Sequence, residues 1–122
     1  MENIISFFEI PVTDFDRATL FYGKVLQSDI NVMEIMGAKM GFLPTDGSNV
    51  SGALVQDKEY EPSTKGALLY LNANDDIPGF LQRIEEAGGT VLVNKTEISP
   101  EFGFFALFID TEGNKLALYS TK

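Results

Sequence analysis

The stretch Phe7-Phe8-Glu9-Ile10-Pro11-Val12-Thr13-Asp14-Phe15-Asp16-Arg17-Ala18-Thr19-Leu20-Phe21-Tyr22 decides how the rest of the chain is read. Phe8, Ile10 and Val12 alternate with Phe7, Glu9 and Pro11, the two-residue period of a strand with one strongly apolar face. Asp14 can accept from the free N–H groups of a first helical turn, and Asp16 adds charge near the positive end of the helix dipole. Ala18, Phe21, Tyr22, Val25 and Leu26 then follow the spacing of one buried helical face. The plan recurs further on. Leu69-Tyr70-Leu71 is a second apolar strand, and Asp75 and Asp76 can cap a second helix with Pro78 in its first turn. Ile77, Leu81 and Ile84 supply that helix's buried stripe, and Gly88-Gly89 ends it in the left-handed conformation that glycine tolerates. The chain is a duplicated strand–helix unit with further strands attached to each copy.

Composition limits what such a unit can do. A chain of 122 residues with 44% hydrophobic content makes one globular domain with a real core. No apolar run is long enough to span a bilayer, and the N-terminus lacks a basic-then-apolar signal pattern, so a soluble cytoplasmic protein with no membrane partner is expected. The absence of cysteine removes disulfides and thiolate chemistry together. A net charge of −9, from 18 acidic and 9 basic residues, argues against binding a phosphate backbone. Nucleic acid is not an expected partner.

In chain order, Ile4 to Val12 reads as a strand and Phe15 to Leu26 as a helix. Ile30 to Ile35 and Ala38 to Leu43 are strands about a turn at Gly37. Pro44 to Asn49 is a cluster of turn formers, and Gly52 to Gln56 closes the first half. Asp57 to Lys65 is polar and unpatterned, a linker near the length limit for a compact domain. Ala67 to Ala73 is then a strand, Ile77 to Ala87 a helix, Thr90 to Val93 a strand and Asn94 to Pro100 a loop. Phe102 to Ile109 and Lys115 to Tyr119 form a hairpin about Asp110-Thr111-Glu112-Gly113-Asn114, where Gly113 can take a positive φ.

The Val12-x-Asp14 helix start with Phe21-Tyr22, the Gly88-Gly89 helix end and the Asp110-x-Glu112-Gly113-Asn114 turn resemble the glyoxalase / bleomycin-resistance / extradiol-dioxygenase (vicinal oxygen chelate) superfamily. The resemblance covers nearly the whole chain. It implies an α+β fold of two tandem βαβββ modules whose curved mixed or antiparallel sheet surrounds a small-molecule cleft. Within a single domain of 1–122, module one is expected at 1–57, the linker at 58–65 and module two at 66–122. A homodimer is implied, and in the enzymes of that superfamily a divalent Fe, Mn, Zn or Ni.

The positions that the resemblance assigns to metal ligands are apolar here. An early position of the first strand falls on Phe7, and the start of the second half's first strand on Leu69. Ala67, Leu68, Tyr70 and Leu71 around it offer nothing better. A Glu position in the last strand falls on Ala117, and a fourth falls within Ala53 to Gln56, where only Gln56 is polar. Divalent metals need converging imidazole or carboxylate donors, and the chain has no histidine. No metal and no cofactor are expected. The cleft residues expected instead are Phe7, Glu9, Gln56, Leu69, Leu71, Ala117 and Tyr119. Glu9 is the candidate catalytic acid or base, because a carboxylate desolvated among Phe7, Leu69, Leu71 and Ala117 would stay protonated to higher pH. Its bland alternative is a strand-end carboxylate that touches water or pairs with Lys or Arg. Gln56, Tyr22, Tyr70 and Tyr119 have the bland alternative of half-buried packing.

Other features read as structure. Phe102-x-Phe104-Phe105-x-x-Phe108 fits a strand buried on both faces better than a slot for a flat ligand. Thr13-Asp14 and Asn74-Asp75-Asp76 sit where helices want caps, and Glu85-Glu86, Asp57, Glu59 and Glu61 are solvated charge. Three functions follow from this reading. The leading one is a metal-independent binder of an apolar or cationic small molecule. The second is a metal-free isomerase- or lyase-like enzyme using Glu9. The third is an interaction module with a filled cleft, and a metal-dependent glyoxalase or dioxygenase ranks last.

Overall fold

A computed structural model of the chain describes residues 3–122, so the first two residues of the expected module one lie outside it. The elements run β1 (Phe8–Pro11), α1 (Phe15–Leu26), β2 (Asn31–Ile35), β3 (Ala38–Phe42), β4 (Gly52–Gln56), β5 (Tyr70–Asn72), α2 (Ile77–Glu86), β6 (Thr90–Ser99), β7 (Gly103–Ile109) and β8 (Lys115–Ser120). This is the expected α+β arrangement, βαβββ twice. The strands form two four-stranded mixed sheets, ordered β1-β4-β3-β2 and β5-β8-β7-β6. β1 lies parallel to β4 and β5 parallel to β8, and the remaining pairs are antiparallel.

Three boundaries differ from the sequence reading by more than one residue. Ile4 to Phe7 precedes β1 without pairing, and β5 keeps only three residues of the expected Ala67 to Ala73. The expected loop Asn94 to Pro100 is instead strand as far as Ser99. β6 is an edge strand, so its polar residues face water, and its register shifts after Val91, Val93 and Glu97 absorb the irregular pattern.

Capping starts both helices where expected. Asp14 accepts from Arg17 N–H at 3.1 Å, and Asp76 from Gly79 N–H at 3.1 Å. Asp75 does something else, accepting from the Thr121 N–H and hydroxyl. Gly88 follows α2 at φ +102°.

Both sheets bury one face in a single shared core. Ile10, Val12 and Leu54 from the first sheet meet Ala106, Phe108, Leu116 and Leu118 from the second through Phe21, Tyr22, Val25, Phe80 and Ile84 of the helices. Phe21 stands edge-on to Tyr22 at 4.9 Å and reaches Phe108 at 6.4 Å.

The turn between β7 and β8 fastens the modules together. The Tyr22 hydroxyl donates to Asp110 Oδ2 at 2.6 Å, and Asn114 Nδ2 donates to the Pro11 carbonyl at 2.7 Å. Glu112 accepts from the Thr13 and Asp14 N–H groups and from Arg17 Nε at 2.7 Å. Burial pushes the Glu112 carboxyl up, but the donors Arg17, Asp14, Thr13 and Thr111 outweigh it and hold the group down at about 2, against an ordinary 4.5. Burial and the neighbouring Asp110 push the Tyr22 phenol well above its usual 10. A turn that reads locally as a hairpin loop is the lock between the halves.

Candidate functional site

With Ile10 and Leu54 in the core, strand alternation sends their neighbours to the opposite face of the first sheet. Register places Glu9, Ala53, Phe42 and Asn31 in one row across that face. Pro11, Val55, Met40 and Met33 form the next row, and Ala38 and Ile35 extend it. Ala53 is 0% exposed and Val55 2%, so these small side chains form a tight floor. Phe7 precedes the strand, 46% exposed, with its ring 6.3 Å from that of Phe42. Glu9 is the one charge in these rows.

Glu9 is exposed to solvent, the strand-end carboxylate that touches water rather than one desolvated by apolar neighbours. β1 is an edge strand and too short for its outward residues to be enclosed. Nor does Lys or Arg pair with Glu9, since the ion pair among the described residues is Arg17–Glu112. Its partner is Tyr60, whose hydroxyl donates to Glu9 Oε1 at 2.7 Å. That bond raises the Tyr60 phenol above its usual 10, helped by the charges of Glu9, Asp57 and Glu59. Sequence reasoning missed Tyr60 because it lies in the unpatterned linker, where the one signal is an aromatic residue among charges.

The second sheet has a corresponding outward face, part apolar and part polar. Tyr70, Ala117, Leu107 and Val93 make one row, and Asn72, Tyr119, Phe105 and Thr96 the next. Ala117 is fully buried in that face and Tyr119 half-buried. Leu69 and Leu71 are not on it, contrary to expectation. Leu71 pairs with the core residue Leu118, and both leucines pack against the shared core. Three successive apolar residues conceal which way a strand faces, and the structure turns Tyr70 outward. Leu69 and Leu71 line, with Phe8, Leu26, Leu43 and Phe80, a groove of about 1210 Å³ between the modules.

Gln56 is also displaced from the expected cleft. It continues the core-facing alternation of Leu54, and its Oε1 accepts from Phe15 N–H at 2.9 Å. Gln56 therefore helps cap α1, satisfying an otherwise orphaned donor of the first turn. Of the seven expected cleft residues, Phe7 and Glu9 gather on one sheet face, and Ala117 and Tyr119 on the other.

The donor set does not fit the metal that the fold implies. Phe7 and Ala117 carry no donor, Leu69 faces the core, and Glu9 is the lone carboxylate on the first face. Among the described residues no group of three or more His, Cys, Asp or Glu side chains converges on a common point. Oxygen- or nitrogen-seeking divalent ions need several such groups together.

Comparison with known proteins agrees with this architecture. Residues 4–118 match the family model for the glyoxalase/bleomycin resistance protein/dioxygenase superfamily. A glyoxylase-like domain-containing protein of Didymella fabae is 33% identical over 118 residues, covering 93% of this chain and 91% of that protein. Among solved structures, TnmS3, an antibiotic binding protein from Streptomyces sp. CB03234, superposes with a TM-score of 0.69 at 25% identity, over 96% of this chain and 94% of that one. A glyoxalase/bleomycin resistance protein from Albidiferax ferrireducens T118 shares the fold at a TM-score of 0.75 and 14% identity, over 95% and 97%.

Proposed function

The chain belongs to the glyoxalase/bleomycin resistance protein/dioxygenase superfamily, and from that premise we propose that it is a metal-independent small-molecule-binding protein. It acts as a cytoplasmic homodimer and takes an apolar or cationic guest. The observation that carries this reading is Phe7 and Ala117 at positions that the family resemblance assigns to metal donors, with the face beside Phe7 floored by Ala53, Val55 and Met40. Apolar floors with a few placed polar groups are what small-molecule sites are made of. The likeness to an antibiotic binding protein supports the same reading. A net charge of −9 favours a neutral or positive guest.

Native mass spectrometry of the purified protein, before and after incubation with a panel of apolar and cationic antibiotics, tests this proposal. A metal-free dimer that takes up a panel member stoichiometrically is the expected result. A divalent metal in each chain, a monomer, or no uptake of any panel member overturns it.

The hydrogen-bonded Glu9–Tyr60 pair favours a second reading, a metal-free isomerase- or lyase-like proton transfer with Glu9 as acid or base. Glu9→Gln would then abolish turnover while the fold is kept; unchanged turnover removes this reading.

A further inference from the structure

We propose that Tyr60 is the positioning residue of the guest site, holding one oxygen of Glu9 so that the other faces the positive group of an organic cation whose apolar body lies on Phe7 and Phe42. This rests on the small-molecule reading above and narrows its guest from apolar or cationic to cationic.

Charge is the first support. Glu9 is the single charged side chain in the rows of the first sheet's outward face, and among the described residues no Lys or Arg lies within ion-pair distance of it. A carboxylate beside Ala53, Phe42 and Phe7 that has no ion-pair partner among the described residues is complementary to a positive ligand. The Phe7 and Phe42 rings, tilted 48° to each other, offer faces that attract a cation as well as an apolar body.

Geometry is the second. Tyr60 donates to Oε1, and no donor among the described residues reaches Oε2. The linker that carries Tyr60 is fastened at both ends. Tyr60 N–H donates to the Asp57 carbonyl at 2.9 Å, and Glu59 N–H to Asp57 Oδ1 at 3.0 Å. Beyond Tyr60, Ser63 N–H donates to Asn114 Oδ1 at 3.1 Å, and the same Asn114 holds the Pro11 carbonyl on the strand that bears Glu9. The phenol is thus held relative to β1 from both sides, and the carboxylate loses rotamer freedom before any guest arrives.

Glu9 and Tyr60 are both exposed, so Glu9→Gln and Tyr60→Phe leave the fold intact. The probes are benzyltrimethylammonium, benzyl alcohol and phenylacetate, measured by ligand-detected NMR on the full chain at millimolar probe. Wild type is expected to bind the cation roughly fivefold more tightly than the alcohol, and the anion more weakly than either. Glu9→Gln should erase the preference. Tyr60→Phe should weaken the cation roughly threefold and leave the alcohol unchanged, as loss of preorganisation alone would do. Saturating cation should also lower the pH at which Tyr60 ionises in ultraviolet titration, because it offsets the Glu9 charge that holds the phenol up; no such change would place the cation away from Glu9. Alcohol binding equal to that of the cation overturns the cation assignment while leaving the small-molecule reading in place. Tyr60→Phe without effect on the cation overturns the positioning role. Binding of no probe overturns both proposals.

Discussion

Arg17 Nε donates to Glu112 Oε2 at 2.7 Å across the two modules, and the two ends of that pair sit in different surroundings. The Arg17 side chain is 50% exposed and that of Glu112 0%. Glu112 also accepts from two backbone N–H groups at the start of α1 and from the Thr13 and Thr111 hydroxyls. The carboxylate is the hub of the contact, and the guanidinium is one of its several donors.

Removing the hub should therefore cost far more than removing the spoke. Glu112→Ala strands the Thr13 and Asp14 N–H groups and should lower unfolding free energy by about 3 kcal/mol. Arg17→Ala leaves the carboxylate with its other donors and should cost distinctly less. Urea denaturation of both variants checks the order, and equal losses would refute it.

The same carboxylate predicts an acid limb. Its folded value of about 2 lies below the ordinary 4.5, so its contribution is complete above pH 4.5 and is lost as pH falls toward 2. That contribution is at most about 3 kcal/mol, from the size of the shift and a half-exposed partner. Wild type and Glu112→Gln should differ most at neutral pH and converge below pH 3 in urea midpoint. Parallel curves would show that Glu112 is not the group that titrates.

The duplicated plan was legible because each of its signals is local. Phe8, Ile10 and Val12 alternate cleanly, and Asp14 and Asp76 stand where caps belong. Facing was legible only where polarity alternates. Glu9 between Phe8 and Ile10 declares its side, whereas Leu69-Tyr70-Leu71 is apolar throughout, and only pairing with β8 shows that Tyr70 turns outward. Gln56 is the one polar residue of the stretch Ala53 to Gln56 that the family resemblance assigns to the cleft, yet its parity with Leu54 turns it toward Phe15 N–H. Partners distant in sequence left no trace at all. Nothing near Tyr22 announces Asp110, nothing near Glu9 announces Tyr60, and nothing in the last hairpin turn announces Thr13 and Arg17.

The buried Tyr22–Asp110 bond predicts an alkaline limb of opposite sign. Tyr22→Phe leaves Asp110 Oδ2 with only the Asn114 amide and should cost about 2 kcal/mol near neutrality. Because the folded phenol ionises well above 10, its contribution is complete below pH 10 and is lost as pH rises beyond it. Thermal melts of wild type should fall more steeply than those of Tyr22→Phe above pH 10. A variant that falls in step with wild type would show that Tyr22 ionises as freely folded as unfolded.

Gly52 lies on the core side with Leu54 where β1 and β4 approach closely, and substituting it should also disturb the outward row that begins at Glu9. It pairs with Phe8 where β1 joins β4. A Cβ at Gly52 would press on the Phe8 carbonyl, which is backbone and cannot swing aside, and on the Phe8 ring. Gly52→Ala must push β1 away from β4, straining the pairs Glu9–Ala53 and Ile10–Leu54 that follow. The expected loss is about 3 kcal/mol in chemical denaturation, the upper end of overpacking costs. Gly113→Ala is the control. There a Cβ meets nothing within 4 Å, and only the φ of +97° opposes it, so about 1 kcal/mol is expected. Displacing β1 also moves Glu9 away from the tethered Tyr60, so Gly52→Ala should weaken binding of an organic cation. Retained binding in a destabilised Gly52→Ala protein would detach the Glu9 row from guest recognition.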